Sequence, residues 1–229
     1  MSELLIFTRT MGESYLEACL QRIREHTTEP HRLLVWVNGA GRATADLVGR
    51  YTDDVIVTTR NKGCVATCGH VLLYEDYAEL VRLSCAIMVA PGWIEALRAP
   101  FRQHAGVGLT GMRSDFGRYR TPPGQTEECD PSNLPDHLIM TTRVAVDRVG
   151  AMSPSFHQYG HEITEHHARV WRAGLRVFAV ETGCHRYQAR HDGRDAVPGR
   201  DELVARNQAV WQRCADKGYR GYDWWRSDL

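Results

Sequence analysis

The first sixty residues alternate short apolar runs with a segment of helical periodicity. Residues 4–8, 33–37 and 54–59 are apolar runs bounded by polar or glycine-containing stretches, as buried strands are. Between the first two runs, apolar residues recur at helical spacing over 16–23, which predicts an amphipathic helix capped by Ser14. Strands rich in leucine, valine and isoleucine with helices between them favour a mostly parallel sheet covered on both faces.

The alternation continues to the carboxyl end of the chain. Helices are expected to end at about Tyr77 and, because glycine stops a helix, at Gly174; Pro91 is expected to end a strand. The predicted elements, in order, are a helix from 63, a strand over 80–89, a helix over 93–101, a strand over 108–111, a strand and helix over 137–146, a helix over 163–173, a strand over 176–180 and a helix over 201–217 capped by Asp201.

One long segment breaks this pattern. Residues 113–136 contain several prolines and glycines and show neither helical nor strand periodicity. Because a loop of this length inside a compact domain usually has a function, the segment predicts a mobile lid over a binding cleft. The last residues, after the helix over 201–217, are rich in tyrosine and tryptophan, and we expect them to dock on the domain or on a partner subunit.

Composition limits the class of protein. A chain of 229 residues with 43% apolar residues suits one domain with a substantial core. Lysine plus arginine equals aspartate plus glutamate at 28 each, so no overall field attracts nucleic acid or an anionic membrane. No leader-like or membrane-spanning apolar stretch is present in the sequence, which favours a cytoplasmic protein.

The cysteines indicate reduced thiols. There are 7 of them, an odd number scattered along the chain, which argues against a disulfide framework. Cys64 and Cys68 lie four residues apart with His70 nearby, but no second pair at metal-binding spacing follows. We therefore favour buried cysteines that act as small hydrophobic residues over a zinc site.

Residues 81–97 carry the most informative motif. They read Val-Arg-Leu-Ser-Cys-Ala-Ile-Met-Val-Ala-Pro-Gly-Trp-Ile-Glu-Ala-Leu. This stretch resembles the family-two glycosyltransferases, in which a buried strand ends in Asp-x-Asp and is followed by an apolar run and Pro-Gly-Trp-Leu-Glu. Ser84 and Ala86 stand where the family has its two aspartates. The resemblance implies an α/β fold of GT-A type, a Rossmann-like, mostly parallel sheet with helices on both faces.

Further motifs extend the resemblance over residues 3 to about 187. Val37-Asn38-Gly39-Ala40 is similar to the family's Val-Asp-Asn-Gly-Ser, and Asn61-x-Gly63 to its Asn-x-Gly loop. Tyr159-Gly160-His161-Glu162 resembles the stretch with the acceptor-side Glu-Asp motif, and Cys184-His185 the histidine after the last strand. The resemblance implies one domain, with a nucleotide-binding half over 1–90, an acceptor half over 91–190 and a C-terminal helix and tail over 191–229.

The resemblance implies a transferase that moves a sugar from a nucleoside-diphosphate sugar to an acceptor hydroxyl, with inversion. In the family a carboxylate accepts the proton of the acceptor hydroxyl, and Glu162 or Glu165 would serve here because Ile163 replaces the usual aspartate. The implied acceptor-binding residues are Trp93, Tyr159 and His161. The implied donor-binding residues are Thr8, Arg9, Asn38, Asn61, Lys62, Ser84, Ala86, His185 and Arg186.

The missing aspartates change the expected cofactor. In the family this pair holds Mn²⁺ or Mg²⁺ against the diphosphate, but of the usual ligands only His185 remains, so we expect little metal dependence. Guanidinium and ammonium groups can replace a metal on a diphosphate. The candidates for this charge are His185, Arg60, Lys62, Arg186 and Arg190.

Several alternatives stay open from the sequence. Asn38 and Asn61 could serve only turn geometry, and Trp93 could pack beneath a helix instead of contacting a sugar. Because so many motif positions differ together, the chain could be a non-catalytic GT-A domain that binds a nucleotide, a glycan or a partner. Basic residues over 113–120 and 186–200 suggest a nucleic-acid base as acceptor, although the balanced net charge argues against it.

Overall fold

The computed structural model describes residues 3–113, 126–129, 134, 137–156, 162–187 and 200–216. The strands are β1 Leu4–Thr10, β2 His31–Asn38, β3 Val55–Thr58, β4 Glu79–Ser84, β5 Ile87–Met88, β6 Val107–Met112, β7 Thr126–Glu128, β8 Leu138–Thr142, β9 Arg176–Val180 and β10 His185–Arg186. The helices are α1 Leu16–His26, α2 Arg42–Val48, α3 Gly63–Tyr74, α4 Trp93–Gln103, α5 Arg143–Val149, α6 Glu162–Arg172 and α7 Arg200–Asp216.

Eight strands form one mixed sheet in the order β3-β2-β1-β4-β8-β6-β9-β7. The first four run parallel to one another, and β8 is antiparallel to both of its neighbours. Beyond it, β9 is parallel to β6, and β7 is antiparallel to β9 at the edge. The predicted α/β class with a large, mostly parallel sheet is confirmed. β5 and β10 pair separately as a two-stranded antiparallel sheet.

Helices cover both faces of the sheet, as the alternation along β1 requires. Leu4 and Ile6 point into a core formed with α1, α2 and α4, whereas Leu5 and Phe7 point into a core formed with α3 and α5. A third apolar cluster lies between β6, β8 and β9 on one side and α5 and α6 on the other. Side chains such as Leu5 are fully buried, and each such burial stabilises the fold by about 1.5–3 kcal/mol.

Several element boundaries differ from those predicted. α1 begins at Leu16 with Tyr15 at the N-cap position and no side-chain cap, so the prediction that Ser14 caps it is wrong. α7 begins at Arg200, which places Asp201 inside the helix instead of at its cap. The predicted single strand over 80–89 is two strands, because the chain turns after Ser84 and re-forms an edge pairing at β5.

The predicted lid lies mostly outside the described residues. Within 113–136 the structure describes residues 113, 126–129 and 134, and β7 pairs with β9 there. The role of the segment as a lid stays a prediction. The aromatic tail after 216 is also outside the described part. Among the helices that the structure describes, none has both the length and the apolar character to cross a membrane.

Within the described residues, six cysteines are not joined in disulfides: Cys19, Cys64, Cys68, Cys85, Cys129 and Cys184. Their redox state stays a prediction. Cys64 and Cys68 lie on the buried face of α3 with their sulfur atoms 3.5 Å apart, where they pack as small apolar side chains. This agrees with the interpretation favoured from their spacing.

Candidate functional site

The carboxyl ends of β1, β2, β3 and β4 meet at one edge of the sheet, which is where open parallel sheets bind ligands. Arg9 near the end of β1 is the register partner of Ser84 at the end of β4 and of Trp36 in β2. Leu5 and Leu80 are also partners and share the α3 core, so the alternation of side chains places Arg9 and Ser84 on that same face. The side chain of Arg9 therefore leaves the sheet beside the position of the first missing aspartate.

The turn between β4 and β5 is closed by hydrogen bonds. The backbone N–H of Ala86 donates to Ser84 Oγ over 3.3 Å, and the Ala86 carbonyl accepts from the N–H of Tyr187 over 2.7 Å. β10 runs antiparallel beside β5, with His185 opposite Met88. The structure thus brings His185 and Arg186 next to the turn, although they lie about a hundred residues away in sequence.

The side chains at this turn do not suit a divalent cation. Hard cations such as Mg²⁺ need several oxygen ligands, usually including carboxylates, and Mn²⁺ shares this preference. Ser84 provides one hydroxyl and Ala86 a methyl group, and His185 is an exposed imidazole on the neighbouring strand. Within the ranges that the structure describes, no three His, Cys, Asp or Glu side chains come together as potential metal ligands.

A carboxylate that sequence reasoning missed lies beside this turn. Glu13 Oε2 accepts from Thr10 Oγ1 over 2.5 Å and from the N–H of Met11 over 2.9 Å, and its side chain also bonds the thiol of Cys85. These contacts fix the loop between β1 and α1 against the end of β4. The pattern Thr10-x-x-Glu13 could have pointed to this contact, since it has the spacing of a capping box. Here the pair stabilises the loop before α1 instead of capping the helix.

The two thiols near Glu13 are held protonated. Burial raises the pKa of Cys19 to about 12, and the negative charge of Glu13 adds to this effect. Burial and Glu13 likewise raise the pKa of Cys85 well above its ordinary value, although the positive charge of Arg9 opposes them. Neither thiol is therefore a nucleophile at neutral pH, since only the thiolate reacts.

Asn38 and Asn61 bond each other instead of facing the cleft freely. Asn38 Nδ2 donates to Asn61 Oδ1 over 2.7 Å, and Asn38 Oδ1 accepts from the N–H of Lys62 over 2.8 Å. Gly63 donates its N–H to Asn61 Oδ1 over 2.8 Å. These bonds hold the turn that begins α3, and so the structure supports the turn-geometry alternative for both asparagines.

Thr8 and Trp93 offer no surface to a ligand. Thr8 is fully buried on the α1 face of β1, and none of the described residues gives its hydroxyl a hydrogen-bond partner. Trp93 is 0% exposed in the core, where its Nε1 donates to Thr27 Oγ1 over 3.2 Å. The core surrounds both side chains, which favours packing for Trp93; the donor contact of Thr8 and the acceptor contact of Trp93 stay predictions.

The remaining cations lie around the same edge of the sheet. Lys62 is exposed at the start of α3, as is Arg60 two residues before it. Arg186 is half-buried in β10, and the tyrosine that follows it, Tyr187, lies against Tyr15 with ring centroids 5.3 Å apart. Arg190 and most of the basic segments over 113–120 and 186–200 lie outside the described residues.

The acceptor-side glutamates are both on α6, but their surroundings differ. Glu162 is the first residue of the helix and is 6% exposed. Glu165, one turn later, forms a buried bidentate ion pair with Arg169. Burial raises the pKa of Glu165 against the opposing charge of Arg169. Tyr159 and His161 lie outside the described residues.

No protein-family model and no curated protein matches this sequence. Several solved structures do match the structure of this chain. The mannosyltransferase PcManGT from Pyrobaculum calidifontis, in complex with GDP-Man and Mn²⁺, shares 13% identity at a TM-score of 0.67 over 96% of this chain. S. aureus TarS 1-349 shares 12% at 0.60 over 77%, and GalNAc-T7 with UDP, GalNAc and Mn²⁺ shares 13% at 0.62 over 79%.

The chain is shorter than these neighbours, since the matches cover 65%, 57% and 42% of their respective lengths. Likeness at this level of identity concerns architecture. The parallel strands β3-β2-β1-β4, the antiparallel β8 beside them and the small β5–β10 pair make up that architecture here. The chain therefore has the GT-A fold, in common with these glycosyltransferases.

Proposed function

We propose that the chain is a glycosyltransferase that moves a sugar from a nucleoside-diphosphate sugar to an acceptor hydroxyl, with inversion and without a divalent metal. The acceptor oxygen would form a bond to the anomeric carbon as the bond to the diphosphate breaks. The acceptor proton would pass to a carboxylate, and the nucleoside diphosphate would leave with the electron pair of the broken bond.

One observation carries this proposal: the ends of β1 and β4 and the strand β10 come together at one edge of a GT-A sheet. That edge is the ligand-binding edge of open parallel sheets, and the three solved neighbours are glycosyltransferases, two of them with a nucleotide or nucleotide sugar bound. Arg9, Lys62 and Arg186 are arranged around it.

These cations support a metal-independent mechanism. A diphosphate that leaves needs positive charge, and a guanidinium supplies it through charge-assisted, often bidentate hydrogen bonds. Arg9 lies beside Ser84, in the register position next to the missing aspartate. In this proposal Arg9 binds the diphosphate from the sheet, and Lys62 and Arg186 bind it from the flanking loop and strand.

Glu162 is the proposed base. It is the retained half of the family's acidic pair and the first residue of α6. Its place at the start of α6 is where the helix dipole favours negative charge, and a base acts on an acceptor hydroxyl within about 3 Å.

The test is calorimetry with GDP and UDP, each with Mn²⁺ and with EDTA, followed by turnover of GDP-mannose and of UDP-GalNAc. We expect one diphosphate to bind with the same affinity in Mn²⁺ and in EDTA, and its sugar nucleotide to be consumed. Arg9→Ala should weaken that binding by about 10- to 100-fold, the worth of one hydrogen bond to a charged group. The exposed Arg22→Ala is the control and should bind as the parent does.

A non-catalytic GT-A domain is the second candidate. It is favoured by Ser84 and Ala86 at the turn and by the full use of Asn38 and Asn61 within the protein. This candidate predicts nucleotide or partner binding with no consumption of a sugar nucleotide. Tight binding of a diphosphate without turnover would select it over the transferase.

A further inference from the structure

The inner face of α6 carries a buried ionic network beside the apolar side chain of Val170. Arg169 Nε donates to Glu165 Oε1 over 2.5 Å, and its Nη2 donates to Oε2 over 3.0 Å. The side chains of Arg169 and Glu165 are 2% and 0% exposed. Because water reaches neither group, the geometry of this pair is set by the protein alone.

The same network holds the segment that follows α5. Arg169 Nη1 donates to the carbonyl of Val149 over 2.8 Å, and its Nη2 donates to the carbonyl of Ala151 over 2.5 Å. Glu165 accepts from the backbone N–H of Ser153. The guanidinium thus joins one carboxylate to two carbonyls of a chain segment that runs past the helix.

His166 adds a further bond to this segment. Its Nε2 lies 3.2 Å from the carbonyl of Gly150, and a carbonyl can only accept, so Nε2 carries the proton. Burial, together with the charges of Arg169 and Arg82, lowers the pKa of His166 well below its ordinary value, and the ring is neutral. Residues 149–153 are therefore tied to three residues on the inner side of α6: Glu165, His166 and Arg169.

A second contact fixes the helix against the sheet. His167 Nε2 lies 3.4 Å from Nη2 of Arg82, a buried residue of β4 two positions before Ser84. Arg82 and Ser84 are two residues apart on the strand, so their side chains share one face of the sheet. The helix that begins with Glu162 is thus held both to the α5 connection and to the strand that ends at the donor side of the site.

Stability alone does not explain this arrangement. Replacing a buried ion pair by apolar residues of similar size is often neutral or stabilising, so its benefit lies in fixing one geometry. Glu162 lies three residues before Glu165, on the same side of the helix and about one turn away. Whatever fixes the rotation and axial position of α6 at Glu165 also fixes Glu162.

From this geometry we infer that Glu165 and Arg169 are a positioning pair: they hold α6 so that Glu162 meets the acceptor, and Glu165 itself is not the base. The inference rests on the proposed function, since it assigns the pair a part in that reaction. Glu165 has its carboxylate oxygens on Arg169 and Ser153, whereas a base must have one available to the acceptor proton.

The test uses Arg169→Lys, which keeps the charge and removes the planar fork, and Glu165→Gln, which keeps the size and removes the charge. Arg148→Lys is the matched control, because Arg148 also joins α5 to α6 through a carbonyl, that of Ala173, but at the far end of the helix. Each variant is measured for its melting temperature, for the Kd of the nucleoside diphosphate that the parent binds, and for kcat and KM with the corresponding sugar nucleotide.

We expect Arg169→Lys and Glu165→Gln to lower kcat by about 10- to 100-fold with the diphosphate Kd within about 2-fold, since a misplacement of about 1 Å can cost about 100-fold in rate. Arg148→Lys should have the same kcat and the same diphosphate Kd as the parent. Equal kcat in folded Arg169→Lys and parent would overturn the inference and leave the proposed function intact. The inference would also be overturned if Arg169→Lys and Glu165→Gln lost kcat and diphosphate affinity together. It would be overturned as well if neither variant folded. Absence of turnover in the parent would remove the proposed function itself.

Discussion

The side-chain amide of Asn38 donates to the carboxamide oxygen of Asn61 over 2.7 Å and joins the end of β2 to the turn before α3. The same turn uses Asn38 Oδ1 as acceptor for the N–H of Lys62. Two asparagines that the family resemblance assigns to the donor therefore have a structural role first. A ligand at this edge of the sheet would meet the turn that they hold, not their free amides.

Asn38→Ala should lower the free energy of unfolding by about 1–3 kcal/mol, because it removes a buried amide and both of the hydrogen bonds through which that amide holds the turn. Urea denaturation with a fluorescence readout measures this change. Lys62→Ala is the control: its side chain is exposed, and only its backbone N–H takes part in the turn. If Asn38→Ala is as stable as Lys62→Ala, the amide bonds do not hold the turn.

Gly39→Ala should destabilise the protein by at least about 2 kcal/mol. Gly39 has φ +83°, and a Cβ there would lie 2.5 Å from the backbone nitrogen of Asn61. Gly69→Ala is the matched comparison in the interior of α3, where a Cβ meets nothing within 4 Å. Because alanine favours a helix, Gly69→Ala should raise stability by about 0.5–1 kcal/mol. Thermal melts of the two variants should therefore shift in opposite directions.

The fold was predictable because its signals are local and repeated. Apolar runs such as 33–37 and the helical spacing over 16–23 specify which side chains enter the core, and the sheet follows from them. Boundaries were less predictable. Ser14 looks like a cap, but the helix begins two residues later because Glu13 fixes the preceding loop through Thr10 and Met11.

The site was less predictable because its contacts are between distant segments. No local pattern states that Arg9 lies beside Ser84, or that Tyr187 bonds the Ala86 carbonyl; strand register determines both. Motif position likewise cannot distinguish a ligand from a packed residue. Trp93 stands where the family motif has a tryptophan, yet in this structure its side chain is fully buried in the core.

The free energy of unfolding should fall steeply with rising pH above about 8.5. Burial raises the pKa of Cys19 to about 12, whereas an unfolded cysteine titrates near about 8.5. Between these values the unfolded chain releases a proton that the folded chain keeps, so alkali favours unfolding, by up to about 1.4 kcal/mol per pH unit. Burial raises the pKa of Tyr77 to about 12 in the same direction, but its effect begins near pH 10.

Cys19→Ala isolates the cysteine contribution. Urea denaturation of this variant and of the parent at intervals from pH 7.5 to about 10 should give the parent the steeper decline. The variant starts from a lower stability because the substitution removes buried volume, and so the slope is the quantity to compare. Parallel slopes would show that Cys19 titrates in the folded protein as it does in the unfolded chain.

Glu162→Gln should lower turnover of the sugar nucleotide by about 10²- to 10⁴-fold, the usual loss when a general base is removed. Diphosphate affinity should change little, since the carboxylate acts on the acceptor and not on the donor. Comparison with Glu165→Gln separates the two roles: the base variant should show the larger loss. Full activity in Glu162→Gln together with none in Glu165→Gln would move the base one helical turn.

Ser84→Asp combined with Ala86→Asp should make nucleotide binding depend on Mn²⁺. The two positions flank a turn that is fixed by the bond from Tyr187 to the Ala86 carbonyl, so two carboxylates there would face the same edge of the sheet as Arg9. Hard carboxylate oxygens are the ligands that the present turn lacks. Calorimetry with the diphosphate should show at least about 10-fold tighter binding in Mn²⁺ than in EDTA for the double variant.

The single variant Ala86→Asp is the control for this metal prediction, because one added carboxylate leaves the ion with too few oxygen ligands and should give a much smaller difference between Mn²⁺ and EDTA. The parent should bind the diphosphate equally well in Mn²⁺ and in EDTA. A strict Mn²⁺ requirement in the parent would contradict the metal-independent mechanism, and the charge assigned to Arg9 would then belong to an ion. Equal affinities in both conditions for a folded double variant would mean that the turn holds the two carboxylates too far apart to share one cation.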